Sequence, residues 1–111
     1  MTTIMTNATI LQAQVTPRAN VYFDGRCVSH NLQLADGTRK SVGVILPAST
    51  LTFTTQAPEI MECVGGSCQW RLQGSAAWQT SAEGQRFAVP ANTAFEIQVG
   101  AEPYHYICHF G

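Results

Sequence analysis

Few side chains in this sequence are equipped for chemistry. Six are basic (Arg18, Arg26, Arg39, Lys40, Arg71 and Arg86) and seven are acidic, for a formal net charge of -1. Among the acids, Glu59 follows Pro58 at the head of a stretch rich in apolar residues. Glu62 lies three residues further on, which in a strand puts it on the opposite face. The imidazoles are His30, His105 and His109. His105 and His109 are four residues apart, a spacing that in a strand sets both on one face but too far apart to share an ion. They are read as surface or hydrogen-bonded histidines. Cys27, Cys63, Cys68 and Cys108 contain no C-x-x-C pair, so zinc is not indicated. Cys63 and Cys68 flank Gly65-Gly66 and face each other if that turn makes a hairpin. In a reducing compartment all four are expected to be small buried hydrophobes.

The elements that position these groups read as strands. Turn signals recur at Asp24-Gly25, Asp36-Gly37, Pro47, Pro58, Gly65-Gly66, Gly74, Glu83-Gly84, Pro90 and Glu102-Pro103. Between them lie short runs rich in β-branched and aromatic residues. These predict strands over Cys27–Leu34, Ser41–Leu46, Thr50–Thr55, Ile60–Val64, Cys68–Leu72, Ala76–Thr80, Arg86–Val89, Phe95–Val99 and Tyr104–Phe110. No window keeps a helical period. Alternation predicts that Phe95, Ile97 and Val99 share one face, and likewise Cys68, Trp70 and Leu72, with Gln69, Arg71, Glu96 and Gln98 opposed. Many short strands at even spacing mean an all-β sandwich or barrel. With 111 residues, 45% of them hydrophobic and 12% charged, the chain suits one domain with its own core. Residues 1–19 read as a flexible arm with a short edge strand within Ile10–Val15, and residues 20–111 as the domain.

Charge and hydropathy exclude several classes of function. There is no basic field for nucleic acid or an anionic membrane. No apolar run approaches the roughly 20 residues of a membrane span. No basic side chain precedes Arg18, so a secretory leader is not expected and the expected compartment is the cytoplasm. The sparse surface charge suggests that a second subunit covers part of the domain.

The spacing from Thr52 to Gly66 resembles the first motif of the cupin superfamily. In that motif H-x-H is followed by a glutamate and then a glycine. Here Thr52-Phe53-Thr54 stands in the place of H-x-H, Glu59 follows after four residues, and Gly66 follows after six more. The second motif is matched by Gly84, Pro90 and, in the place of its histidine, Phe95. The resemblance implies a single-domain, jelly-roll β-barrel. Threonine hydroxyls and a phenyl ring cannot replace imidazoles around a transition metal, so no metal and no cofactor are expected.

A narrower resemblance covers residues 20 to 110. It rests on Asn20-Val-Tyr-Phe-Asp-Gly25, Arg39-Lys-Ser-Val-Gly-Val44, Phe53 through Met61, Trp78, Gly84 through Pro90, Phe95, Gln98-Val99 and Tyr106-x-Cys108. Together these resemble the short cupins known as pyrimidine/purine nucleoside phosphorylases. Two departures stand out: a longer N-terminal arm, and His109 where an arginine is expected. The resemblance implies that inorganic phosphate attacks C1′ of a purine or pyrimidine nucleoside, releasing free base and ribose 1-phosphate. Such an enzyme must hold a phosphate dianion, stabilise an oxocarbenium-like sugar and let the base leave. Arg39, within the matched stretch, is the first choice for phosphate, and Arg71, on a polar strand face, the second. Glu59 is placed inside the barrel, where a carboxylate must be paired or used. Phe53, Phe95, Tyr104 and Tyr106 are candidates to stack a base, a contact with little preference among bases. Thr52 and Gln98 are candidates to bond sugar or base edges. The partners implied are nucleosides and phosphate, with a homodimer the expected assembly. A non-catalytic metabolite-binding cupin is the alternative. A metal-dependent cupin would need ligands of another kind.

Overall fold

The computed structural model describes residues 9–111 of the chain. Eleven strands form two antiparallel sheets. They are β1 (Ala13–Val15), β2 (Asn20–Tyr22), β3 (Cys27–Leu34), β4 (Arg39–Ile45), β5 (Ser49–Thr54) and β6 (Glu59–Gly65), followed by β7 (Ser67–Leu72), β8 (Gln79–Ala82), β9 (Arg86–Val89), β10 (Ala94–Val99) and β11 (Tyr104–Phe110). Seven strands make the larger sheet, in the order β1-β3-β4-β11-β6-β9 with β2 also on β3. Four make the smaller, β5-β10-β7-β8. The sheets pack face to face as a jelly-roll barrel whose edges are not joined by a closed hydrogen-bond ladder.

The predicted strands are all present, most within two residues at each end, because turn residues delimit them. Gly66 shows why such punctuation binds the chain. Its φ is +70°, and a Cβ there would strike the carbonyl of Pro103. The largest shift is β8, which starts at Gln79 where a strand from Ala76 was expected. Its register is set by Ser81 opposite Cys68, and the segment before it turns Trp78 back over Arg71. β2, three residues long, carries too short a pattern to be read as a strand. The expected edge strand in the arm is β1, paired with β3. Residues 1–8 of the arm lie outside the described residues.

Alternation sets what faces inward. From β10, Phe95, Ile97 and Val99 are buried in the core with Leu51 of β5, Cys68 of β7, and Met61 and Cys63 of β6. From β11, Tyr104, Tyr106 and Cys108 enter it. All four cysteines are buried with free thiols. On the larger sheet one strand inverts the usual polarity. Inward-facing positions of β3 include Ser29 and Asn31, while Val28 and Leu32 face outward. A sheet that turns polar residues inward is lining something other than a packed core.

Candidate active site

Between the sheets, at the end of the barrel where β3, β6 and β11 open, lies a cavity of about 250 Å³. Its polar wall comes from the larger sheet: Asn20 of β2, Ser29 and Asn31 of β3, Ser41 of β4 and Glu59 of β6. Strand register builds this wall. Asn31 pairs with Ser41, Ser41 with Cys108, and Cys108 with Met61, so four strands present one continuous row. The opposite wall is apolar. Phe53 and Phe95 pair across β5 and β10, with ring centres 5.5 Å apart and near-parallel planes. Phe23 meets Phe53 edge-on at 5.4 Å from a turn at the mouth. Phe23 and Asp24 both have left-handed backbones, φ 53° and 55°, a strained conformation for a phenylalanine.

Glu59 is the acid of the cavity. Burial pushes its carboxyl above the usual glutamate range, and the Cys108 thiol, donating to its Oε1 at 3.4 Å, opposes that rise. Burial and the neighbouring carboxylate together push the Cys108 thiol far up, so that it stays a proton donor. Arg39 stands at the rim. Its guanidinium carbon lies 6.0 Å from the centre of the Phe110 ring, a cavity-lining ring that pairs with Glu59 across β11 and β6. Two strand spacings separate β4 from β6, so the Arg39 and Glu59 backbones stand about 10 Å apart. Tyr106 closes the inner end. Its hydroxyl is 3.5 Å from Cys27 Sγ, and burial raises its pKa far above the tyrosine range. Gly43 makes room for it, since a Cβ there would lie 2.7 Å from that hydroxyl.

The structure therefore brings together Glu59, Phe53, Phe95 and Tyr106, with Arg39 at the rim. It does not bring Thr52, Arg71 or Gln98 to the cavity. Thr52 and Gln98 are exposed on the outer face of the smaller sheet. Arg71 lies on that face too, held by Glu96 at 2.9 Å and by the face of Trp78 at 4.1 Å. Parity also corrects the motif alignment. Thr52 of the Thr-Phe-Thr triplet is turned outward, and Leu51 and Phe53 are the inward residues of β5. His109 is likewise on an outer face, between Lys40 Nζ and Glu62 Oε1. An ammonium can only donate, so Nδ1 accepts from Lys40 and Nε2–H donates to Glu62. Arg86 completes this outer row at 3.0 Å from Glu62. Asn20, Ser29, Asn31 and Ser41 were not anticipated. Their signal was the polar parity of β3, which a rule of apolar residues inward reads the wrong way round.

The metal that cupins commonly carry does not fit these residues. The inward groups near Glu59 are phenyl rings, a thioether and a thiol that burial keeps protonated. Among the described residues, no three His, Cys, Asp or Glu side chains are grouped to hold an ion.

The fold is that of the cupins. The family model for pyrimidine/purine nucleoside phosphorylase matches residues 17–110. A pyrimidine/purine nucleoside phosphorylase of Paracidovorax citrulli is 64% identical, over 96% of this chain and 100% of that protein. Most of the N-terminal arm therefore has a counterpart there. One of Thiobacillus denitrificans is 66% identical over 87% of this chain and 92% of its own. A crystal structure of a protein of unknown function (DUF1255) from Acinetobacter sp. ADP1 superposes with a TM-score of 0.89 at 40% identity, covering 93% of this chain and 98% of that one. The chain belongs to the pyrimidine/purine nucleoside phosphorylase family.

Proposed function

We propose that this protein is a nucleoside phosphorylase, a pentosyltransferase that cleaves purine and pyrimidine nucleosides with inorganic phosphate. The observation that carries the reading is one cavity lined by a half-buried carboxylate, Glu59, and an aromatic wall, Phe53 and Phe95, with Arg39 beside it over Phe110. In the reaction a phosphate oxygen bonds to C1′ as the C1′–N bond breaks. The bonding pair leaves on the base nitrogen, which takes the proton that the hydrogen phosphate gives up, and the products are ribose 1-phosphate and free base. Glu59 accepts the ribose hydroxyls and opposes the positive charge that grows at C1′. Arg39 holds the phosphate through charge-assisted hydrogen bonds. The base lies against Phe53 and Phe95, which favour a flat ring without choosing its size.

The reading extends to assembly and compartment. The outer face of the larger sheet carries Val28, Val42, Val44, Val64 and Ile107 around an open trough of about 780 Å³. A second copy covering that face would form the expected homodimer, and Val44→Lys should then yield a monomer by sedimentation. Four buried free thiols suit the cytoplasm, a reducing compartment.

The deciding experiment incubates EDTA-treated protein with uridine or adenosine, with and without phosphate, and follows free base by chromatography. Base released only with phosphate is the expected result. Release without phosphate would make the protein a hydrolase. No release from several nucleosides would leave a metabolite-binding cupin.

A further inference from the structure

The polar wall of the cavity has an internal direction, and that direction leaves specific atoms for a ligand. Asn20 Nδ2 donates to Ser29 Oγ at 3.3 Å and to Asn31 Oδ1 at 3.1 Å. Those two bonds use both N–H groups of the Asn20 amide. The Ser29 hydroxyl is also hydrogen-bonded to Tyr106, whose hydroxyl lies 3.5 Å from Cys27 Sγ. Because Ser29 accepts from Asn20, its single proton goes to Tyr106, and the Tyr106 proton goes to Cys27. The chain of donors thus runs from the mouth into the barrel. At its outer end, among the described residues, it leaves an acceptor, Asn20 Oδ1, and a donor group, Asn31 Nδ2, on two hydrogen-bonded residues that both line the cavity.

We infer that the Asn20–Asn31 amide pair binds the hydrogen-bonding edge of the nucleobase and is the device that admits both lactam and amino bases. The inference rests on the phosphorylase reading and adds residues that the reading does not use. Strand order supports placing the base here. β3 and β6 are three strand spacings apart in the larger sheet, about 14 Å between backbones. With the sugar at Glu59 on β6, the far end of a nucleoside falls against β3. Arg39 is on β4, which lies between the two in the strand order.

The chemistry of the pair explains breadth without looseness. A lactam base shows C=O beside ring N–H, whereas an amino base shows ring N beside NH₂. Each is an acceptor next to a donor, but in opposite order. Asn20 and Asn31 can meet either order because everything behind them is amphiprotic. If both amides turn over, Asn31 Nδ2 donates to Asn20 Oδ1 and the Ser29 hydroxyl donates there as well. Ser29 then accepts from Tyr106, and Tyr106 accepts from the Cys27 thiol. No charge moves and no buried group loses its partner, so the reversal costs little. The pair reads one edge of the base and ignores the ring outline, so purines and pyrimidines are treated alike.

The test compares nucleosides that differ only at that edge. Inosine and adenosine carry a 6-substituent, and purine riboside has hydrogen in its place. In the wild-type protein, kcat/KM for inosine and for adenosine should each exceed that for purine riboside. In Asn31→Leu both ratios should fall about tenfold, the worth of one or two hydrogen bonds. The ratio for 2′-deoxyinosine over inosine should not follow, because the ribose is held elsewhere. Asn20→Ala repeats the test should Asn31→Leu fail to fold, with native circular dichroism required of the variant used. Edge ratios that stay at their wild-type values in the folded variant would overturn the inference, as would a change confined to the 2′-deoxy ratio. If the wild-type protein cleaves no nucleoside in phosphate, the phosphorylase reading fails first and this inference falls with it.

Discussion

The two ends of the barrel are built from the same strands and carry opposite chemistry. At the closed end Cys27, Ile45, Cys63 and Tyr104 are wholly buried, 0% exposed, and Ser81 and Cys68 pack beside them. Polar atoms there have little to do. Among the described residues Ser81 Oγ has no hydrogen-bond partner and the Tyr104 hydroxyl meets the Cys68 thiol, which burial pushes up to about 12. Two residues further along β11, Tyr106 is hydrogen-bonded and faces the cavity, and two further still Cys108 holds Glu59. A period-two strand that changes from packing to chemistry within one step along its inner face shows how little sequence separates a core from a site. What separates them is access. The same groups are inert where the sheets meet and usable where they part.

Substitutions at the two ends should therefore give different signatures. The largest effect belongs to the open end. Glu59→Gln should lower kcat by about a hundredfold or more, the loss expected when a preorganised charge is removed from a transition state. The same change should raise stability at neutral pH. Because burial raises the Glu59 pKa in the folded state, the folded protein binds the proton more tightly than the unfolded one. Stability linked to Glu59 is then lost as pH rises from the unfolded value, about 4.3, through the raised folded value. The melting-temperature advantage of Glu59→Gln should grow across that window and level off above it. An advantage that shrinks with pH would show a carboxylate stabilised in the fold.

Next in size, Arg39→Ala should raise KM for phosphate about tenfold with a smaller change in KM for the nucleoside. Arg71→Ala, which removes a cation from the outer face, should change KM for phosphate by less than about twofold, as for an exposed ion pair. Steady-state kinetics with phosphate varied separate the two, and the reverse order would move the phosphate site to the smaller sheet.

Smaller effects contrast the two tyrosines. Tyr104→Phe removes a buried hydroxyl that meets only the weakly bonding Cys68 thiol and should change stability by less than about 1 kcal/mol, leaving kcat/KM unchanged. Tyr106→Phe deletes a bonded hydroxyl and should cost about 1 kcal/mol and some activity. Urea unfolding of both variants decides this, and equal changes would erase the difference between the ends. Least of all, Cys68 should take up no iodoacetamide at pH 8 in the folded protein, because the residue is 3% exposed and burial pushes its thiol up to about 12. A mass increment on its peptide would show that the closed end opens.

Much of this molecule is legible in its residues taken in order. Gly, Pro and Asp-Gly turns delimit the strands, and alternation in Phe95–Val99 and Cys68–Leu72 assigns their inner faces, because local backbone preference and burial agree there. Glu59 could be singled out because the resemblance to the cupin motif places it inside the barrel, where a carboxylate is costly without a purpose. Tertiary structure decided what alternation alone could not. The outward face of β3 is the apolar one, so Ser29 and Asn31 reach the cavity, and only the pairing of β2, β3, β4 and β11 assembles them with Asn20 and Ser41 into a wall. Arg39 and Arg71 are alike as residues on strands. Register carries one to the rim beside Phe110 and the other to an outer face beneath Trp78, because a strand's two faces are assigned by its neighbours and not by its own side chains.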